Sequence, residues 1–211
     1  MLWDISPPVS AASAVYPGDT PYRQRWTAVL GSDGAANVGE ITMSTHIGAH
    51  ADAPLHYDAG GAAIGRVDLA PYLGPCRVIH AIGCGPLVEL AHLVHALDGL
   101  PPRVLVRTCD RAPVDHWNPD LTAFAPATLE RLGALGVRLV GIDSASIDPA
   151  GSETLDSHQV ARRLDLRVLE NLVLDAVPEG DYELIALPLK LVDADASPVR
   201  AVLRALPAAA R

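Results

Sequence analysis

The sequence predicts a mixed-sheet α/β fold, and three observations carry that expectation. Short β-like runs bounded by Gly, Pro or Asp recur along the whole chain. Two of them precede a histidine-rich loop with no helix between them, whereas later runs alternate with helical patterns. Apolar residues make up 49 % of the 211 residues, and the 17 glycines and 18 prolines are dispersed, so one domain over residues 1–211 with a substantial core is expected.

In chain order, the strand expectations are Leu2–Ile5, Gln24–Leu30, Asn37–Ser44, Cys76–Ile82, Val104–Arg107, Val137–Ile142 and Tyr182–Leu189. Helical patterns fit Val88–Leu97, Pro126–Leu135, His158–Leu164 and Pro198–Leu206. Pro126 and Pro198 suit the first turn of a helix, where a missing N–H costs nothing. Pro126, Leu129, Leu132 and Leu135 form a stripe close to the helical period.

Composition narrows the function classes. A net charge of −9 and the lack of a basic stripe argue against a nucleic-acid partner. No apolar run approaches the ~18 residues of a membrane span, and Met1-Leu2-Trp3-Asp4 does not look like a secretory signal. Cys76, Cys84 and Cys109 are an odd number without a C-x-x-C pair, which fits free thiols in a reducing cytoplasm.

The most informative stretch is Ser44-Thr45-His46-Ile47-Gly48-Ala49-His50-Ala51-Asp52-Ala53-Pro54-Leu55-His56. Three of the eight histidines and one aspartate fall between His46 and His56. Imidazole and carboxylate are the ligand set of zinc and similar divalent metals, and an apolar core would be harmed by such a cluster. All four residues sit at even offsets, but four residues of straight strand span about 13 Å at roughly 3.3 Å each. One ion requires ligands at about 2.0–2.2 Å. Gly48 weakens a helix and Pro54 would stop one, so the expectation is a curled loop or an irregular turn, with Gly48, Ala49, Ala51 and Ala53 allowing close approach.

The string H-I-G-A-H-A-D-A-P-L-H resembles the metal motif of the cyclase family of metal-dependent hydrolases at every position. Tyr16-Pro17-Gly18-Asp19, Gly141-Ile142-Asp143-Ser144, Asp156-Ser157-His158 and Leu169-Glu170-Asn171-Leu172 are similar to its other motifs, in order. Leu187-Pro188-Leu189-Lys190 and Ser197-Pro198-Val199-Arg200-Ala201 resemble the bacterial kynurenine formamidase branch in particular. The resemblance implies a mixed sheet curled toward a barrel with helices outside, of the swivelling β/β/α type, and a homodimer. It implies hydrolysis of N-formyl-L-kynurenine, with ring opening of a cyclic amide such as isatin as the alternative within the same superfamily. It further implies two divalent ions, zinc first and manganese or cobalt next. His46, His50 and Asp52 would hold one, His158 the other, and Asp52 and Glu170 would bridge both, while His56 would move the proton.

Read without the resemblance, several of these residues are ordinary. His158 is a helix-start residue and Glu170 a solvated charge, twelve positions apart. One helix would separate them by about 18 Å, so they converge only if the chain turns back near Leu164-Asp165-Leu166. Asp143 either orients a ligand or caps the turn after its strand. His92 and His95 fit an exposed helix face, His80 and His116 structural positions, and Lys190 a strand end within reach of an anionic group. Tyr16 stands where the formamidase branch usually has tryptophan. It either stacks on an aryl substrate or packs the N-terminal strand.

Overall fold

The computed structural model describes residues 1–31 and 34–206. Along the chain run β1 (Leu2–Asp4), β2 (Arg23–Ala28), β3 (Val38–Thr42), β4 (His50–Asp52), α1 (Pro54–Tyr57), β5 (Leu73–His80), β6 (Leu87–Val88) and α2 (Leu90–Leu93). They are followed by β7 (Arg103–Arg107), β8 (Ala123–Phe124), α3 (Pro126–Ala134), β9 (Leu139–Ile142), α4 (Asp156–Leu164), β10 (Arg167–Glu170), β11 (Gly180–Ile185), β12 (Ala196–Pro198) and β13 (Val202–Ala205).

Nine strands form one mixed sheet in the order β1-β13-β11-β5-β7-β9-β10-β4-β12. Its centre, β5-β7-β9-β10, is parallel. Parallel neighbours need crossovers, and the segments carrying α2, α3 and α4 supply them in turn. The flanks, β1-β13-β11 on one side and β4-β12 on the other, pair antiparallel. The predicted α/β class therefore holds, as does the curl: the sheet bends into a half-barrel with few helices.

Both faces of the central strands are buried, and side chains alternate between two cores. Val104, Val106, Val140, Ile142 and Val168 face the helix layer with Leu129, Leu132 and Val160. Leu105, Leu139 and Leu169 face the opposite core with Tyr72, Tyr182, Leu184 and Leu203. Gly141 is required by the tightness of that second core, where a Cβ would come within 2.5 Å of Leu105 Cδ2.

Four expectations need correction. Pro198–Leu206 is not helical: the segment contributes the end of β12 and all of β13. Val199, Ala201 and Leu203 are buried at period two, and β13 fits between β1 and β11, so sheet pairing overrides the helical reading. Val88–Leu97 reduces to the four-residue α2 and a 3-10 turn at Val94–Ala96, because Val88 pairs with Phe124 in a small separate sheet. The histidine motif is not loop throughout, because His50–Asp52 form β4 and Pro54 then opens the short α1. Finally, β11 stops at Ile185, which leaves Lys190 exposed on a loop rather than at a strand end.

Candidate metal centre

β4 is three residues long and buried throughout. His50 and Asp52 are two residues apart on it and share a face, while Ala49, Ala51 and Ala53 turn to the opposite core. The register with β10 sets Glu170 opposite His50 and Val168 opposite Asp52. Strand alternation and one ladder thus gather His50, Asp52 and Glu170, whose ligand atoms lie within 4.8 Å of one another.

His158 arrives from the helix layer. Asp148 accepts from the backbone N–H of Ser157 at 2.8 Å and of His158 at 3.0 Å, fixing the start of α4, and meets His158 Nδ1 at 2.7 Å. The other ring nitrogen, Nε2, then lies 3.2 Å from Asp52 Oδ2 and 3.6 Å from Glu170 Oε1. Asp165 adopts a left-handed φ of 53° just after α4 and turns the chain back into β10. This is the reversal that the spacing of His158 and Glu170 demanded.

His46 precedes β4 in a turn, not on a strand. Gly48 makes the turn with φ of 65°, and its carbonyl accepts from His50 Nδ1 at 2.9 Å. His46 Nδ1 sits 3.2 Å from Asp52 Oδ1. His56, on α1, has its ring centroid 4.3 Å from that of His46. A second trio, His46, Asp52 and His56, also has its ligand atoms within 4.8 Å, so Asp52 belongs to both groups.

One contact tests whether a cation suits this centre. His50 Nδ1 spends its proton on the Gly48 carbonyl, so neutral His50 presents a lone pair at Nε2. That atom faces Asp52 Oδ1 at 3.4 Å, both are buried, and neither has a hydrogen-bond partner. Two facing acceptors are costly without something positive between them. A divalent cation fits that requirement and the donor set.

Electrostatics agree. Burial alone would lower the pKa of His46, but the adjacent carboxylates of Asp52 and Asp195 raise it to about 9. His158 likewise is pushed down by burial and then raised to about 10 by Asp148, Asp52 and Glu170. Burial would raise Asp52, yet His158, His46 and His50 hold it well below the usual carboxylate range. The carboxylates create a field that any cation, proton or metal, would relieve.

The cluster opens into a cavity of about 820 Å³ that reaches Tyr16, His116 and Trp117. Tyr16 and Trp117 meet edge to face, with ring centroids 5.1 Å apart. Tyr16 therefore lines the cavity, and so does His116, which the sequence placed among structural residues. Asp143 lines it too, but its carboxylate is committed to Thr108 and Cys109, accepting from the backbone N–H and the side chain of each. It braces the chain after β7. His92 closes a capping box with Glu89, and His80 and His95 engage Val177 and Glu179. Sequence reasoning did not single out Asp148, Asp195 or Trp117. Single aspartates ahead of a helix or strand read as caps and turns, so no local signal marked them.

A model of the Cyclase family matches residues 3–149. The chain belongs to the Cyclase family. Among its relatives there, the kynurenine formamidase of Delftia acidovorans is 71 % identical over 205 residues, 97 % of this chain and 98 % of that protein. The kynurenine formamidase of Bordetella pertussis is 69 % identical with the same coverage. A solved structure described as a potential metal-dependent hydrolase with cyclase activity superposes with a TM-score of 0.82 at 28 % identity, covering 96 % of each chain. Isatin hydrolase A from Labrenzia aggregata shares the Cyclase fold, with a TM-score of 0.81 at 20 % identity over 96 % of this chain and 93 % of that one.

Proposed function

We propose that this chain hydrolyses N-formyl-L-kynurenine to L-kynurenine and formate, a step of tryptophan degradation. The observation that carries the chemistry is the buried His50 Nε2–Asp52 Oδ1 contact, two facing acceptors beside a cavity of about 820 Å³ that His50 lines. The substrate follows from near-full-length relatives named kynurenine formamidase.

In this reading the centre takes two divalent ions, zinc first. His46, His50 and Asp52 would hold one and His158 the other, with Asp52 and Glu170 available to both. Membership of Asp52 in both ligand trios supports its shared role. Bound there, divalent ions supply Lewis acidity, lowering the pKa of water and polarising a carbonyl oxygen. The protein's own groups do the rest. Tyr16, with Trp117 beside it, offers a ring face or edge to the substrate's aryl ring. His56 is partly exposed beside His46, where it can take a proton from the attacking water and hand it to the departing aryl amine. Water adds to the formyl carbon, the C–N bond breaks, and formate and the free amine leave.

The proposal includes a homodimer in the cytoplasm. Nearly every residue of strands β2 and β3 is exposed, including Trp26, Val38 and Ile41, and a second copy would cover such apolar area. No helix among the described residues is long and apolar enough to cross a membrane.

The deciding experiment is formate release from N-formyl-L-kynurenine by metal-loaded protein. Ring opening of isatin without formate release from the formamide would replace this reading with the cyclic-amide one.

A further inference from the structure

Each histidine of the centre directs one ring nitrogen inward and gives the other an acceptor. His50 uses the Gly48 carbonyl and His158 uses Asp148. His46 uses Asp195, whose Oδ2 lies 3.1 Å from His46 Nε2. Asp195 is unlike the other two acceptors because the same oxygen also lies 3.5 Å from His56 Nδ1.

Asp195 is well placed to be rigid. Its other carboxylate oxygen accepts from Thr45 Oγ1 at 3.0 Å. Its backbone carbonyl accepts from Ala53 N–H at 2.8 Å, and the next residue, Ala196, pairs with Asp52 across β4 and β12. Backbone and side chain therefore tie Asp195 to both ends of the histidine motif. An ionised carboxylate can only accept. When a metal displaces the proton that the stripped centre holds, His46 would keep its remaining N–H on Nε2 toward Asp195 and offer Nδ1, 3.2 Å from Asp52 Oδ1, to the ion. The same oxygen lies 3.5 Å from His56 Nδ1, a charge contact that would favour Nδ1 toward Asp195 and leave Nε2 to face the cavity.

We propose that Asp195 is a positioning residue that sets the rings of His46 and His56 with one carboxylate, coupling metal capture to proton transfer. The inference rests on the reading of the centre given above, and its test starts from a measurement that needs no substrate. Zinc affinity is measured on chelator-stripped protein against a chromophoric chelator. Asp195→Ala should weaken zinc binding by about 10–100-fold, the scale for losing a carboxylate behind a ligating histidine. Asp195→Asn, whose amide oxygen still accepts one hydrogen bond, should recover most of that loss. At saturating zinc, Asp195→Ala should still show a kcat lowered by about tenfold or more with KM little changed, because His56 has lost its orientation.

Unchanged zinc affinity in Asp195→Ala overturns the proposal for His46. Full kcat at saturating zinc overturns it for His56. An unmodified protein that binds zinc but releases no formate would instead refute the formamidase reading and leave the affinity result standing.

Discussion

Glu170 stands directly opposite His50 across the β10–β4 ladder, with Glu170 Oε2 3.3 Å from His50 Nε2. Two residues 120 positions apart in sequence thus owe their contact to strand register, and a one-residue slip would send both to the other face. Asp52, two residues further along the same strand, completes the arrangement and also touches His46 and His158. In the proposed two-ion reading, replacing Asp52 should therefore do more harm than replacing a histidine that would serve one ion. Elemental analysis of zinc-loaded protein should give two equivalents for the parent chain, about one for His46→Ala and close to none for Asp52→Ala. Two equivalents retained by Asp52→Ala would remove its shared role.

The raised histidines set a pH dependence for protein stripped of metal. His46 at about 9 and His158 at about 10 both lie above the ordinary 6.5. Their charged forms stabilise the stripped fold fully below about pH 6.5, and that contribution fades as pH rises through 9 to 10. Asp52 acts with the opposite sign, since its depressed value helps above the usual carboxylate pKa and is lost only in strong acid. Thermal melts of chelator-treated protein should show Tm falling between pH 6.5 and 10. Zinc affinity should rise over the same window, because binding displaces those protons. A stripped protein whose Tm climbs with pH there would contradict the assignment.

Tyr16 and Trp117 form one aromatic edge of the cavity. In the proposed reading Tyr16→Ala removes a ring that would contact substrate, and it also removes the edge contact to Trp117. Weaker substrate binding by about 1–3 kcal/mol is expected, seen as a higher KM. Tyr16→Trp keeps a ring of larger area and should retain or improve activity. Steady-state kinetics on the two variants separate a substrate contact from a packing role, since a pure packing role leaves KM unchanged in Tyr16→Ala.

Gly141 tests the packing of the second core independently of the chemistry. An alanine methyl there would meet Leu105 Cδ2 at 2.5 Å and Leu172 Cδ1 at 2.9 Å. Overpacking of this kind costs about 1–3 kcal/mol. Gly141→Ala should lower Tm by several degrees while still binding both metal equivalents, because the centre lies on the opposite face of the sheet.

What the sequence revealed depended on how local each signal was. His46, His50, Asp52 and His56 lie within eleven positions, so their chemistry was readable before any fold was known. His158 and Glu170 needed the family motifs, because only α4, the reversal at Asp165 and β10 bring them together. Asp148 and Asp195 left no mark, since each acts across the fold on a residue that its own neighbours do not suggest. The same limit explains the misread end of the chain. Val199 to Leu206 suits a helix and a strand about equally in isolation, and only the gap between β1 and β11 selects the strand.

His56 offers the sharpest division between binding and catalysis. It lies beside His46 and within reach of Asp52's trio, so it could serve as a ligand, yet it is partly exposed where the other cluster histidines are more buried. Amide hydrolysis needs a proton taken from the nucleophile and given to a poor leaving group, which histidine does near neutral pH. His56→Ala should therefore keep both metal equivalents and the parental Tm while kcat falls by roughly 10²–10⁴. If His56 is instead a ligand, metal content and activity fall together. Measuring both on one preparation distinguishes the two, and a fully metallated, fully active His56→Ala would remove the residue from the reaction.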